Sequence, residues 1–131
     1  MQKNQLFEYA VIRVVPMVER EEFINVGVVL YCSGQKFLQA TIDINEDRLK
    51  AFSYKLDIPE IKTYLQAFAG ICRGDATAGP IGKLPIAERF RWLTATRSTV
   101  VQTSKVHPGL CVDAAQMLSK LYDQLVLQSK E

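Results

Sequence analysis

The sequence has little of what most metal and redox sites require. It contains a single histidine, His107, and three cysteines, Cys32, Cys72 and Cys111, which are far apart along the chain. One histidine excludes a multi-histidine metal site, and the cysteine spacing excludes a CxxC pair. We therefore expect free, buried thiols, with no structural metal, no disulfide and no cofactor.

A strong excess of charge and long apolar runs are also missing. Sixteen Lys and Arg oppose 14 Asp and Glu, and the net charge of +2 is too small to indicate nucleic-acid binding by bulk charge. Apolar runs such as 26–32 are far shorter than a bilayer span, and residues 1–5 lack the apolar core of a secretory signal. We expect a soluble cytoplasmic protein.

The chain has 131 residues, of which 48% are hydrophobic. This length and composition predict one globular domain over residues 1–131. Composition and alternation predict strands over 9–16, 23–32, 36–44 and 98–106, with a tight turn at 33–34. Caps and apolar spacing predict helices after Asn45, from Asp57 to near Gly74, from Pro85 to residue 92 or 93, and after Asp113. This order predicts an α+β fold: a mainly antiparallel sheet of about four strands with helices packed on one face, a two-layer sandwich.

Period-two counting predicts which face of the sheet the helices cover. Alternate apolar residues form one continuous face: Ala10, Ile12, Val14, Ile24, Val26, Val28, Leu30, Leu38, Ala40 and Ile42. The opposite face is mixed and is either partly covered or a working surface. Gly27, inside the second strand, indicates a bulge or a close approach of another group.

Two candidate binding residues lie on that mixed face. A strand-centre arginine such as Arg13 must pair with an acid or an anion, or point to water. Asn25 is expected near it, which makes the two residues candidate contacts for a partner or an anionic ligand. The structural alternative is an ion pair between Arg13 and Asp43 or a glutamate.

The segment 73–107 carries six cations against two acids, together with Trp92 and several hydroxyl groups. Guanidinium groups beside hydroxyls and an aromatic plane suit phosphate or carboxylate recognition. The candidates in this segment are Arg91, Arg97, Ser98 and His107. We expect Arg91, Arg97 and His107 to converge in a shallow concavity; the alternative is a solvated helix face with Trp92 in the core.

Several segments resemble one known family. They are 9–16 (YAVIRVVP), 19–30 (EREEFINVGVVL), 91–93 (RWL), 97–98 (RS) and 107–109 (HPG). Over nearly the whole chain the sequence is similar to the bacterial domain of unknown function 3037 (DUF3037) family. Members are often encoded beside a kinase-like protein of the HipA toxin type, so the resemblance implies a protein partner. It implies no catalytic residues.

The leading hypothesis is a non-enzymatic bacterial cytoplasmic module that binds a protein partner or an anionic ligand. We assign no catalytic residue and no metal ligand. The competing hypothesis is a small enzyme, or a protein that binds nucleic acid or phosphate. It would use His107 as acid and base and the arginine cluster as an anion clamp.

Overall fold

The computed structural model describes residues 3–127. In this part of the chain the strands are β1 (Gln5–Val14), β2 (Ile24–Cys32), β3 (Phe37–Ile42), β4 (Val101–Thr103) and β5 (His107–Cys111). The helices are α1 (Glu46–Phe52), α2 (Ile58–Arg73), α3 (Gly79–Gly82), α4 (Ile86–Leu93) and α5 (Ala114–Tyr122). A π-helical turn, Asp123–Leu127, continues α5.

All the strands join one antiparallel sheet with β1 at its centre. β2 pairs along one side of β1, and β3 pairs with the far side of β2. On its other side, β1 pairs with β4 through its second half and with β5 through its first half. The α+β class and the antiparallel sheet predicted from the sequence are therefore confirmed.

The strand predicted over 98–106 is replaced by β4 and the separate strand β5. Ser104, which is buried between them, explains the break: its main-chain N–H donates to the Val11 carbonyl, and its Oγ accepts the Val11 N–H across 2.9 Å. His107 and the two residues after it, which lie beyond the predicted strand, also pair with β1. This pairing also explains why β1 begins at Gln5 and not near residue 9.

A β-bulge in β2 shifts the register of the β1–β2 pair. Ile12 lies opposite Gly27, whereas Arg13 lies opposite Asn25, so Val26 is the extra residue. Two residues of the bulged strand then face the same side, and the alternation is inverted beyond that point. The bulge that the sequence suggested at Gly27 is confirmed.

The bulge corrects the predicted faces of β2. Val26 packs with Ala10 and Ile12 as predicted, but Val28 and Leu30 belong to the opposite face. Both faces are consequently apolar, and both are covered. One core lies between the sheet and α1, α2 and α4: Ala10, Ile12, Val14, Val26, Val29, Leu38, Leu49, Ile58, Ile61, Leu65, Phe68, Ile71, Cys72, Phe90 and Leu93.

The second core lies on the other face, under α5. It consists of Phe7, Val28, Leu30, Cys32, Cys111, Ala114, Leu118 and Val126. The expectation that helices cover a single face thus holds for α1, α2 and α4 but not for α5. The reason is the uninterrupted apolar run of β2, which supplies side chains to both layers.

Local signals position the helix ends as predicted. The side chains of Asn45, Asp57 and Asp113 accept the N–H of the residue three positions later, with distances of 3.0, 3.1 and 3.2 Å. Gly74 ends α2 with a φ of 69°, the left-handed conformation that glycine adopts without strain. The prediction that the cysteines are buried is confirmed for all three. None of the described helices has the length and apolarity needed to cross a membrane.

Replacing Gly27 with alanine should destabilise the fold by about 1–3 kcal/mol, because its Cβ would lie 2.6 Å from the main-chain oxygen of Thr41. That oxygen belongs to the hydrogen-bond ladder between β2 and β3, so it cannot move away from the added Cβ without disturbing the ladder. Urea unfolding of Gly27→Ala measures the loss.

Gly70→Ala is the matched control. Gly70 lies inside α2 and its neighbours leave room for a methyl group, the nearest atom being 3.6 Å from the added Cβ. Alanine there should raise the free energy of unfolding by about 0.5–1 kcal/mol. Equal stability of Gly27→Ala and the wild type would contradict the role given to the bulge.

Candidate functional site

The structure brings together two of the candidate residues, Arg13 and Asn25. They lie opposite each other at the bulge. The Arg13 guanidinium lies over the Phe23 ring, 3.9 Å from its centroid, and burial lowers the pKa of Arg13 from its usual value. The ion pair considered for Arg13 and Asp43 is not formed; Asp43 lies 3.9 Å from Arg48 instead.

Asn25 has a structural role beside this contact. Its Nδ2 donates to the Leu125 carbonyl at 3.1 Å, and its own carbonyl accepts a hydrogen bond from Arg48 at 2.9 Å. These bonds tie β2 to α1 and to the turn after α5. The Asn25 Oδ1 and the Arg13 Nε are buried and have no partner among the described residues.

Arg91 and Arg97 belong to α4 and to the segment that follows it. Arg91, which is exposed, lies 3.5 Å from the half-buried carboxylate of Glu8, and such an ion pair at the surface contributes little to stability. Arg97 stacks on Trp92, 4.3 Å from the ring centroid, and donates to the carbonyls of Leu93 and Trp92. Since cations stabilise helix C-termini, this geometry makes Arg97 a cap of α4.

The remaining candidates, Ser98 and His107, lie apart from each other. Ser98 is exposed after α4, whereas His107 lies in β5 with its ring 5.3 Å from that of Tyr9. Tyr9 and Glu8 are consecutive in β1, so their side chains point to opposite faces of the sheet. Because Arg91 contacts Glu8 and His107 contacts Tyr9, the structure does not bring Arg91 and His107 into one concavity.

A different feature combines open space, unpaired main chain and positive charge. A cleft of about 550 Å³ runs along β3, lined by residues 36–40, by Ala69, Cys72 and Arg73 of α2, and by Ile86 and Arg89 of α4. Side chains of consecutive strand residues alternate between faces. The cleft therefore exposes the edge of β3 and not just one of its faces. We call it the β3 cleft.

The edge of β3 has main-chain groups free for pairing. The Asp43 N–H donates to the Val26 carbonyl. In a strand the main-chain groups of every second residue point to the same side, so those of Thr41 and Gln39 also point toward β2. The N–H and C=O groups of the alternate residues point away from β2: Leu38, Ala40 and Ile42. In residues 3–127 no strand pairs with them.

At the opposite edge of the sheet, β5 lacks one of its outward main-chain donors. The Val11 carbonyl accepts the Ser104 N–H. The main-chain groups of Tyr9 and Phe7, the next alternate residues of β1, therefore point toward β5. In β5 the residue opposite Glu8 then points outward, and that residue is Pro108. Proline has no N–H, which makes this edge a poor template for another strand.

Three cations line the β3 cleft. Arg73 is neutralised by Asp75, with a shortest N–O distance of 2.9 Å. Within the described part of the chain, Lys36 and Arg89 form no ion pair. Arg89 donates to the carbonyls of Leu84 and Cys72, at 3.0 and 3.5 Å, which leaves other N–H groups of its guanidinium unused. The cleft thus carries two uncompensated positive charges.

The described residues contain no cluster of three His, Cys, Asp or Glu side chains that could hold a metal ion. Cys72 is the thiol nearest the cleft cations. Burial raises the pKa of its thiol to about 12, although the nearby Arg89 and Arg73 act in the opposite direction. Because the thiolate is the nucleophilic form, Cys72 is suited to packing and not to covalent chemistry.

Comparison with known proteins gives one result. A family described as "Protein of unknown function (DUF3037)" matches residues 9–126. The chain belongs to the DUF3037 family. Neither the curated proteins nor the solved structures gave a match. The resemblance found in the sequence is therefore confirmed.

The sequence of this DUF3037 protein did not indicate Lys36, Arg73 and Arg89 as residues of one candidate site. Arg73 and Arg89 were counted in the basic segment, but their position beside an open strand depends on the strand order. One signal was present: a proline inside a paired segment indicates an edge strand. Pro108 therefore indicated that its segment lies at one edge of the sheet, and β3 was then a candidate for the opposite edge.

The raised pKa of Cys72 predicts that this DUF3037 protein loses stability in alkali. Between pH 9 and pH 12 the unfolded thiol has lost a proton that the folded one retains. The free energy of unfolding should therefore fall as pH rises, by about 1.4 kcal/mol per pH unit from this group, and be unaffected by it below that range. Urea unfolding at several alkaline pH values measures the slope.

Cys72→Ala supplies the comparison, because it removes this one titration and leaves all others in place. The variant should be less stable at neutral pH, and its stability should fall less steeply above about pH 9 than that of the wild type. Parallel pH profiles for the two proteins would contradict the assignment.

Proposed function

We propose that this DUF3037 protein is a non-enzymatic binding module of the bacterial cytoplasm that holds an extended, negatively charged segment of a protein partner along β3. The observation that carries the proposal is the unpaired edge of β3 inside a cleft with two uncompensated cations. Main-chain pairing gives such a site its affinity, and the side-chain pockets beside it give specificity.

The segment binds by adding a strand to the sheet. Its main chain pairs with the outward N–H and C=O groups of Leu38, Ala40 and Ile42. Alternate side chains of an added strand point to the same face. Those that point toward the helices meet Ala69 and Ile86, two small or apolar surfaces of the cleft. An extended segment with β-branched residues at alternate positions fits this arrangement.

Charge selects the segment. Lys36 is exposed and attracts acidic residues before contact, whereas the half-buried Arg89 holds them in a less solvated position. A second copy of this chain is a poorer occupant. If β3 of a second copy paired with β3, the α2 and α4 helices of that copy would lie on the same face of the sheet as the α2 and α4 residues that already line the cleft.

The family resemblance makes a kinase-like protein of the HipA toxin type the first partner to test. The candidates Arg13, Asn25, Arg91, Arg97, Ser98 and His107 remain a prediction. Of these, Arg13 and Asn25 lie opposite each other in the sheet, so they are the pair to test first as a second contact surface. No observation favours the enzymatic alternative over binding.

Ala40→Pro tests strand addition. The Ala40 N–H points away from β2, so proline removes an outward donor without removing a β2–β3 hydrogen bond. Acidic heptapeptides selected on the wild type from a random display library should bind the variant at least about tenfold more weakly, as measured by fluorescence polarisation. Gln39→Ala, in the same cleft but with an unchanged main chain, should bind nearly as well as the wild type.

Two further measurements keep this test decisive. If Ala40→Pro fails to fold, the selected peptides are made with alternate main-chain nitrogens methylated, and these should not bind the wild type.

Lys36→Glu should lower the affinity for the peptides and make that affinity less dependent on salt concentration. Lys105→Glu, at the other edge of the sheet, should change neither. Unchanged binding in Ala40→Pro, or a homodimer that this variant abolishes, would overturn the proposal.

A further inference from the structure

The positive charge of the β3 cleft lies at one end of β3. Lys36 immediately precedes the strand, with a φ of 51°. The ion pair between Lys62 and Glu46 places the beginning of α2 beside the start of α1, just after the other end of β3. From Lys62, α2 runs about 16 Å to Arg73, which lines the cleft with residues 36–40. The end of α2 therefore lies beside the beginning of β3.

Arg89 lies at the same end of the β3 cleft. It donates to the Cys72 carbonyl near the C-terminus of α2, and its guanidinium would lie 3.0 Å from a Cβ added at Gly74. Lys36, Arg73 and Arg89 thus share the end of the cleft where β3 begins. No acid lines the cleft at either end, and Asp75 is already engaged by Arg73.

The sheet fixes the direction that an added strand prefers. Every pairing among the described strands is antiparallel. Antiparallel pairing is slightly more stable per residue than parallel pairing, and sheets of a single type are over-represented. A strand that runs antiparallel to β3 ends where β3 begins. Its C-terminal residues then lie against Lys36 and Arg89.

We infer, building on the proposed function, that the partner segment is the acidic C-terminus of a protein chain, running antiparallel to β3 with its terminal carboxylate at Lys36 and Arg89. A terminal carboxylate supplies charge and two acceptor oxygens at the point where the strand stops. The unused N–H groups of Arg89 match it, because guanidinium and carboxylate groups form charge-assisted hydrogen bonds. The segment needs four or five residues to follow residues 36–40.

Three synthetic forms of one peptide test the inference. A library of five random residues followed by two glutamates, with a free C-terminus, is selected on the wild-type protein. The best binder is then made with a free carboxylate, with a C-terminal amide, and in reversed order with an amide. Amidation should weaken binding about tenfold, and reversal should weaken it further.

Lys36→Gln distinguishes a carboxylate held by the cleft from a general charge effect. In this variant, amidation of the peptide should cost about threefold or less, whereas in Lys105→Gln, a matched charge loss at the opposite edge, it should still cost about tenfold. Such a coupling is expected only where the two groups interact directly.

The outcomes separate the two proposals. Equal affinity for the free and amidated peptides, or tighter binding of the reversed one, would overturn the C-terminal assignment while leaving strand addition in place. Failure of every library to yield a binder, or binders unaffected by Ala40→Pro, would overturn the proposed function as well.

Discussion

One extra residue in β2 determines how this molecule is layered. Because Val26 is inserted opposite the step from Ile12 to Arg13, Val28 and Leu30 turn to the face that α5 covers. With regular alternation those side chains would join the first core, and Val29 would face α5 in their place. Gly27 makes the insertion sterically possible, since a side chain there would collide with β3.

Covering both faces of the sheet leaves its edges as the surfaces where main chain can still be paired. Helices on both sides bury most of the large apolar side chains of β1 and β2, although Leu6 is 61% exposed. A further strand can then join the sheet only at its edges. Of these, β5 presents a proline and β3 presents a cleft with cations, so the two edges of one sheet differ in what they can accept.

The sequence predicted what depends on near neighbours. The caps at Asn45, Asp57 and Asp113 involve residues three positions apart, and the hairpin of β2 and β3 is local. Strand order was not predictable in this way, since β5 pairs with residues about a hundred positions earlier. The side that each residue of β2 faces was missed because counting by two assumes that no residue is inserted.

The same distinction applies to the candidate residues. Arg13 and Asn25 were correctly expected to be neighbours, because they belong to successive strands of one hairpin. Arg97 and His107 are closer in sequence, yet a helix cap holds the first and β5 holds the second. Cations that are near in sequence thus serve separate elements, while Lys36 and Arg89 line one cleft because α2 and α4 pack against β3.

Pro108 has a consequence for assembly at high concentration. Two different receptive edges on one sheet would let copies join head to tail without limit, since such a contact does not close on itself and generates fibres. Pro108 removes an outward N–H from the β5 edge, which makes this edge less able to pair with β3 of another copy. The proline therefore disfavours filament growth by head-to-tail pairing of sheet edges.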